Sequence, residues 1–106
     1  MRKIEPIRSK KITESAKGKP CTMNIVGVCS YDPRTVVFAH FPDESHGMSR
    51  KSDDCSGGYA CNSCHGVLDG RAPWPETEKE HKEWYMRRSQ TRTVRMMIQS
   101  QVLTFG

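Results

Sequence analysis

Five cysteines in the first two thirds of the chain have the spacing of metal ligands. Cys61 and Cys64 form a C-x-x-C motif, and Cys21 and Cys29 lie upstream as a second pair. Two thiolate pairs from separate segments suit zinc, which binds four ligands tetrahedrally and accepts sulfur. We therefore expect a structural zinc site made of these four residues, with Cys55 as the spare thiol. The spacing also allows a set in which Cys55 replaces Cys29.

Other interpretations of the cysteines fit the sequence less well. An odd number of cysteines argues against a complete disulfide framework. A redox C-x-x-C belongs in a βαβ unit, and no such pattern is visible. Cysteines can also be small core residues, but five of them in a chain of mean hydropathy −0.72 favour a metal.

Two histidines stand beside features that would make them chemically active. His65 directly follows the C-x-x-C motif at the start of an expected helix, and Asp69 lies four residues further on the same helical face. His40 stands near the end of the clearest strand pattern. Histidine exchanges a proton near neutral pH and is a common metal ligand. His40 is therefore a candidate base or metal ligand, and His65 with Asp69 a candidate metal-binding pair. His65 could instead replace a cysteine at the zinc.

Short elements are expected to position these residues. Residues 35–41 are rich in β-branched and aromatic types and predict a strand. Residues 43–58 are polar and contain glycines, which predicts a loop or a short hairpin arm. A short helix is expected after Cys61 through Leu68 and Asp69, ended by Gly70.

A long helix is predicted for residues 77–100. Thr77 and Glu80 have the spacing of a capping box, and the apolar residues near the far end recur at helical intervals. Residues 87–92 contain no apolar side chain, so we expect this middle part of the helix to lie on the surface.

Length and composition limit the class of protein. The 106 residues allow one domain, 1–106, and no apolar run approaches the roughly 20 residues that a membrane span needs. The basic N-terminus lacks an apolar signal segment, so we expect a cytoplasmic protein with reduced thiols. Only 35% of the residues are hydrophobic, so a zinc site would help to stabilise so small a core.

The net charge of +5 is concentrated near the two ends of the chain. Residues 1–17 form a basic arm or a short helix, for which Ile12–Lys17 is the candidate segment. Basic side chains attract phosphate, although a charged helix face can also be merely solvated. The candidate nucleic-acid contacts are Lys10, Lys11, Lys51, Arg71, Arg87, Arg88 and Arg92.

The order of these features resembles the HNH, or ββα-metal, endonuclease superfamily. Its zinc-bearing members have a cysteine pair, a strand ending in histidine, a loop, and C-x-x-C-H on a helix. The chain is similar, more closely, to the small prophage-encoded nucleases of the YbcO-like family. The segments that carry this resemblance are 17–21, 27–29, 38–40, 51–54 and 60–71.

The resemblance implies a small zinc-stabilised α+β domain of the ββα-metal type with a long C-terminal helix. It implies a phage or prophage endonuclease that hydrolyses double-stranded or branched DNA in the cytoplasm of a bacterial host. His40 would be the general base, and His65 would hold one divalent cation, Mg²⁺, Mn²⁺ or Zn²⁺. Asp54 matches an acidic position of the YbcO-like pattern and, with Asp69, could complete the ligand set.

The chain departs from the HNH pattern at two positions. Ala39 stands where many HNH enzymes have a metal-binding Asp or His, and Ser56 is nearest to the usual Asn. These departures keep a second hypothesis open, a zinc-containing module that binds nucleic acid without cleaving it. A third hypothesis is a thiol redox protein or a zinc scaffold that binds another protein.

Overall fold

The computed structural model describes residues 8–41 and 54–103, which form a small α+β structure with a two-stranded antiparallel sheet and a long C-terminal helix. Within these ranges, no helix has the combined length and apolar character that a bilayer crossing requires. The helices are α1 (Lys10–Glu14), α2 (Asn62–Leu68) and α3 (Lys82–Gln99), the strands are β1 (Val37–His40) and β2 (Gly57–Ala60), and 3-10 turns cover Pro33–Thr35 and Lys79–His81.

The sheet lies between α1 and α3. Successive residues of a strand point to opposite faces. Gly58 of β2 lies against α3, where a Cβ atom would collide with Oγ of Ser89. Tyr59, the next residue, reaches α1, and its hydroxyl lies 2.7 Å from Oγ of Ser15. Each helix therefore covers a different face of the sheet.

The middle of α3 is buried on one side, so the expectation that it lies wholly on the surface is wrong. Tyr85, Ser89, Thr93 and Met97 recur every four residues and are all buried against the core. The Thr22 hydroxyl lies 2.6 Å from the Ser89 hydroxyl and 3.1 Å from the Thr93 hydroxyl. Because these hydroxyl groups form hydrogen bonds with one another, polar side chains can be buried at these positions.

The helix α3 begins five residues later than predicted, and the capping box does not form. A turn precedes it, in which the amide of Glu78 donates to the Pro75 carbonyl at 2.9 Å. The Tyr85 hydroxyl then donates to the Glu78 carboxylate and fixes this turn to the helix. The residue that caps α3 is His81, whose side chain makes no capping hydrogen bond.

The other predicted elements are present with altered bounds. The strand expected over residues 35–41 is shorter, because the chain up to Thr35 forms a 3-10 turn. The second strand, β2, lies at the end of the segment predicted as a loop or hairpin arm. The helix α2 is confirmed, with Gly70 in the left-handed region at φ +82°. Of the two alternatives for the N-terminal segment, the short helix is present, but at residues 10–14 and not at the expected 12–17; residues 1–7 of that segment lie outside the described residues.

Candidate active site and zinc centre

Four cysteines converge on one point of the fold. The Sγ atoms of Cys21, Cys29, Cys61 and Cys64 all lie within 4.8 Å of one another, and those of Cys29 and Cys61 are 3.9 Å apart. Tetrahedral zinc with bonds of about 2.3 Å places its sulfur ligands about 3.8 Å apart, so the four thiols can hold such an ion. Cys55 is exposed and is not part of this cluster, so the four thiols that lie together are those of the first predicted set.

The backbone around the cluster donates hydrogen bonds to its sulfur atoms. Cys61 is the N-cap of α2, and its Sγ accepts from the amide of Cys64 at 3.4 Å. The Ser30 amide donates to the same sulfur at 3.5 Å, and Nδ2 of Asn24 donates to Sγ of Cys29 at 3.4 Å. Such donors stabilise thiolates, which are the form that binds a metal.

The four thiols of the cluster differ in acidity. A hydrogen bond from the Cys64 thiol, helped by backbone amides, lowers the pKa of Cys21 to about 5 against the opposing effect of burial. Burial also opposes ionisation of Cys61, but hydrogen bonds from the Cys64 and Ser30 amides outweigh it and lower its pKa. The hydrogen bond to Cys21 raises the pKa of Cys64, and burial raises the pKa of Cys29, so without a metal the negative charge of the cluster lies on Cys21 and Cys61.

His40, at the end of β1, is paired with a buried carboxylate. Its Nε2 lies 2.7 Å from Oδ1 of Asp54, and the side chains are 30% and 8% exposed respectively. The ring also packs edge-to-face on Phe38, on the same face of the sheet, with centroids 5.2 Å apart. An imidazole that donates from Nε2 to a carboxylate carries its basic lone pair on Nδ1. The pair therefore has the form of an oriented proton acceptor.

Asp54 is itself held by the start of the N-terminal helix. Its Oδ2 accepts a hydrogen bond of 2.6 Å from the Ser9 amide, and Nη1 of Arg8 lies 3.7 Å from Oδ1. Burial raises the pKa of this carboxyl group, but the His40 and Ser9 hydrogen bonds and the nearby positive charge outweigh it and lower the pKa. Asp54 is therefore ionised at neutral pH. Sequence reasoning missed Arg8 and Ser9, because nothing local links them to residue 54.

A second histidine–carboxylate pair lies on α2. Nε2 of His65 is 3.1 Å from Oδ2 of Asp69, and Nη2 of Arg71 is 3.4 Å from the same oxygen. Among the described residues, only the cysteines form a cluster of three or more candidate ligands. The other predicted site residues therefore form two pairs: His40 with Asp54, and His65 with Asp69.

The departures from the HNH pattern have structural roles here. Ser56 is buried, and its hydroxyl donates to the Phe41 carbonyl at 3.1 Å. Ala39 is also buried, and as the neighbour of His40 it points to the opposite face of the sheet, toward α3. Neither residue offers a metal ligand beside His40.

The predicted nucleic-acid contacts are distributed over both faces of the sheet. Lys10 and Lys11 are exposed on α1, which covers the face that carries His40. Arg71 is exposed beside Asp69. On the opposite face, Arg87 and Arg92 of α3 are exposed and Arg88 is half-buried; Lys51 lies outside the described residues.

Comparison with known proteins identifies the family. The model of the family described as "Putative nuclease YbcO" matches residues 10–102. The chain belongs to the YbcO family. Two curated relatives carry that same description, one from Escherichia coli K12 and one from Enterobacteria phage 82. Each is 34% identical over 61 residues, which are 57% of this chain and 64% of the relative, so the match spans less than two thirds of the relatives' length.

A solved structure has the same fold as this YbcO-family chain. It is described as that of "a putative bacteriophage protein" from Escherichia coli K-12, and it superposes with a TM-score of 0.61 at 25% sequence identity. The superposition covers 84% of this chain and 98% of the other. This chain therefore shares its fold with almost the whole length of that solved protein.

Proposed function

We propose that the chain is a metal-dependent endonuclease of phage or prophage origin that hydrolyses phosphodiester bonds of DNA. The observation that carries the proposal is the pair of His40 and Asp54, with 2.7 Å between Nε2 and Oδ1, at the end of β1. The order of β1, β2 and α2, with a cysteine cluster at the start of α2 that could hold zinc, supports placement in the HNH, or ββα-metal, superfamily. The name of the YbcO relatives supports a nuclease.

His40 is the general base in this mechanism. Its Nδ1 removes a proton from a water molecule while the water oxygen attacks phosphorus, and the bond from phosphorus to the leaving oxygen breaks. The charge that develops on the imidazole is stabilised by the carboxylate of Asp54 at Nε2. Asp54 is therefore a positioning residue, because it holds the ring and its tautomer without touching the substrate.

His65 and Asp69 are the residues that would hold the catalytic cation. Their ligand atoms are 3.1 Å apart, close to the distance of about 3.0 Å between neighbouring ligands of an octahedral ion with bonds of about 2.1 Å. A divalent cation bound there, Mg²⁺, Mn²⁺ or Zn²⁺, would neutralise phosphate charge and stabilise the leaving oxygen. Two protein ligands leave positions for water and phosphate oxygens, as is usual for Mg²⁺.

The charges around His40 fit a polyanionic substrate. Lys10 and Lys11 are exposed on the helix that covers the His40 face of the sheet, and Arg8 lies next to Asp54. We therefore propose that this face contacts the DNA backbone during cleavage, with salt-dependent affinity.

The test is nicking of supercoiled plasmid by His40→Ala in the presence of Mg²⁺ or Mn²⁺. The rate should fall by about 10²- to 10⁴-fold, because a general base contributes that much, while the zinc content and circular dichroism stay unchanged. His81→Ala is the matched control, since His81 is an exposed histidine on another part of the surface and should leave the rate unchanged. If His40→Ala nicks as fast as the parent, the assigned mechanism is wrong.

A second candidate function is a zinc-containing module that binds nucleic acid without cleaving it. The observation that favours it is Ala39, which places no metal ligand next to His40. This candidate predicts DNA binding by the parent protein with no nicking under any of the three cations. The same plasmid assay therefore separates the two functions.

A further inference from the structure

The outer side of α3 carries an aromatic side chain at the head of a row of arginines. Trp84 is 54% exposed. Arg88 and Arg92 follow it at four-residue intervals, so the three side chains lie along one stripe of the helix. Arg95 extends this stripe to about 16 Å from Trp84, at 1.5 Å per residue. The helix as a whole has five basic residues and one acidic residue.

A groove follows this stripe: its first part is lined by α3 alone, and its second part lies between α3 and residues 20–24. Its first part, of about 330 Å³, is lined by Trp84 and by Arg87, Arg88 and Arg92. Its second part, of about 370 Å³, is lined by Arg92, Arg95 and the 20–24 segment. Arg92 lines both parts, so the two parts adjoin at this side chain. Among the described residues that line it, none is Asp or Glu, and Cys21 of the cysteine cluster is the one side chain that can carry a negative charge.

The structure holds two of these arginines in place. Nη2 of Arg88 donates to the Met23 carbonyl at 2.7 Å, and its guanidinium lies 4.3 Å from the centroid of the Trp84 ring. Nη1 of Arg92 donates to Oδ1 of Asn24 at 3.1 Å. Guanidinium groups that are already fixed lose less conformational freedom when they bind an anion. Each also has further N–H donors, because a guanidinium carries five.

We propose that this groove binds a DNA strand with unpaired bases, one base stacking on the face of Trp84 that Arg88 does not cover and the neighbouring phosphates contacting Arg87, Arg92 and Arg95. An exposed indole in a basic groove is the arrangement by which proteins hold single strands, since every base offers a face for stacking. The inference rests on the proposed function only in naming DNA as the ligand. Because α3 and His40 lie on opposite faces of the sheet, the groove is a second DNA contact, away from the site of cleavage.

Strand binding by the full chain, without added divalent cation, tests the proposal. Three labelled ligands of about 12 nucleotides are compared: a thymidine strand, a duplex, and a strand of abasic residues with the same phosphates. Trp84→Ala should weaken binding of the thymidine strand by about 5- to 150-fold and leave the other two unchanged, because only the first offers accessible bases. Trp84→Phe should retain most of the affinity, because phenylalanine also stacks.

Two further measurements make the test specific. Tryptophan emission should be quenched by the thymidine strand in the parent protein and much less in Trp84→Phe, which keeps only Trp74. Ile98→Ala is the matched control, because Ile98 is exposed on the same helix and does not line the groove. Arg87→Gln should weaken the thymidine and abasic strands alike and reduce the salt dependence of binding by about one charge.

The proposal is overturned if Trp84→Ala leaves thymidine-strand affinity unchanged or weakens all three ligands equally. It is also overturned if a polyglutamate peptide binds as tightly in a Trp84-dependent manner, since the groove would then suit an acidic protein. If the parent protein does not nick plasmid but its strand binding depends on Trp84, the proposed function is rejected and this inference is kept. Normal nicking with Trp84-independent strand binding rejects this inference alone.

Discussion

Oδ1 of Asp54 lies 2.7 Å from Nε2 of His40, and the other carboxylate oxygen of Asp54 accepts from the Ser9 amide at 2.6 Å. The imidazole is thus connected through one buried carboxylate to the N-terminal end of α1, a helix from a distant part of the chain. This connection explains how a residue at the end of a short two-stranded sheet can keep a fixed orientation. It also makes Asp54 the first residue to change in order to test the site.

Asp54→Asn should lower kcat for plasmid nicking by about 10²-fold or more and leave KM nearly unchanged. Asparagine can no longer stabilise a positively charged imidazole, and it can select the wrong tautomer of His40. Steady-state kinetics with intact zinc content are the measurement. Glu76→Gln, which removes an equal charge from an exposed position, should have no effect. An equal loss of activity in both variants would show that net charge matters and the position of Asp54 does not.

The stability contributed by Asp54 should depend on acid pH. Its pKa is lower in the folded chain than the unfolded value of about 3.9, so the folded state binds fewer protons there. The contribution is therefore complete above the unfolded pKa and is lost as the pH falls through the folded pKa. Urea unfolding at several pH values should show a difference between the parent and Asp54→Asn that is constant above about pH 5 and shrinks below about pH 4.

That comparison also controls for zinc release in acid, because both proteins share the cysteine cluster. A difference in unfolding free energy that is the same at low and neutral pH would contradict an ionised, hydrogen-bonded Asp54 in the folded state.

Removal of one cluster cysteine should remove the metal. Cys61→Ser takes away both a ligand and the cap of α2, so the purified protein should lose its zinc and most of its thermal unfolding transition. Cys55→Ser should keep one zinc per chain and the parent's unfolding temperature, because Cys55 lies outside the cluster. Metal analysis and circular dichroism measure both. Zinc that persists in Cys29→Ser and disappears in Cys55→Ser would favour the alternative ligand set.

Gly58→Ala should destabilise the fold by about 1–3 kcal/mol, which is typical of an overpacked interior. The added methyl group would collide with Oγ of Ser89, where α3 packs directly on β2. Gly66→Ala is the matched control, since Gly66 lies within α2 and an added Cβ there meets no atom within 4 Å. Alanine should raise helix stability there by about 0.5–1 kcal/mol. Equal effects of the two substitutions in urea unfolding would contradict this packing.

Asp69→Asn should raise the concentration of Mg²⁺ or Mn²⁺ needed for half-maximal nicking by about 10- to 100-fold, the range found when support of a metal site is lost. The reason is that Oδ2 of Asp69 and Nε2 of His65 are 3.1 Å apart and form the proposed ligand pair. Saturating cation should restore much of the rate, which separates this role from that of His40. A rate that is reduced equally at all cation concentrations would assign Asp69 another role.

The sequence was informative wherever the signal was local. The C-x-x-C motif and the upstream pair predicted the four cysteines that converge, because zinc geometry needs few residues of definite type. The helix after Cys61 and its glycine end were also predicted, because the glycine that ends a helix stands directly after it in the sequence. The prediction of a capping box was wrong although its pattern was local. Glu78 instead forms a turn, in which its amide donates to the Pro75 carbonyl and its carboxylate accepts from the Tyr85 hydroxyl.

Burial along α3 could not be read from residue types. Ser89 and Thr93 are polar, yet they are fully buried because Thr22 supplies hydrogen bonds from 67 and 71 positions away. A pattern of apolar residues cannot reveal a face whose contacts are hydroxyl groups. The glycine at position 58 that lets this face approach the sheet gave no such signal either.

By itself, the sequence determined which four cysteines would lie together and the order of the short elements, and it made His40 and His65 the candidate site histidines. The i, i+4 spacing already paired His65 with Asp69, but only the tertiary structure decided what His40 contacts. Asp54 pairs with His40, and Ser9 reaches Asp54 across 45 positions of the chain. The physical reason is that metal-ligand spacing and helix periodicity depend on residues a few positions apart, so both can be recognised in the sequence. The choice of hydrogen-bond partner between distant segments depends on how α1 and β1 pack together.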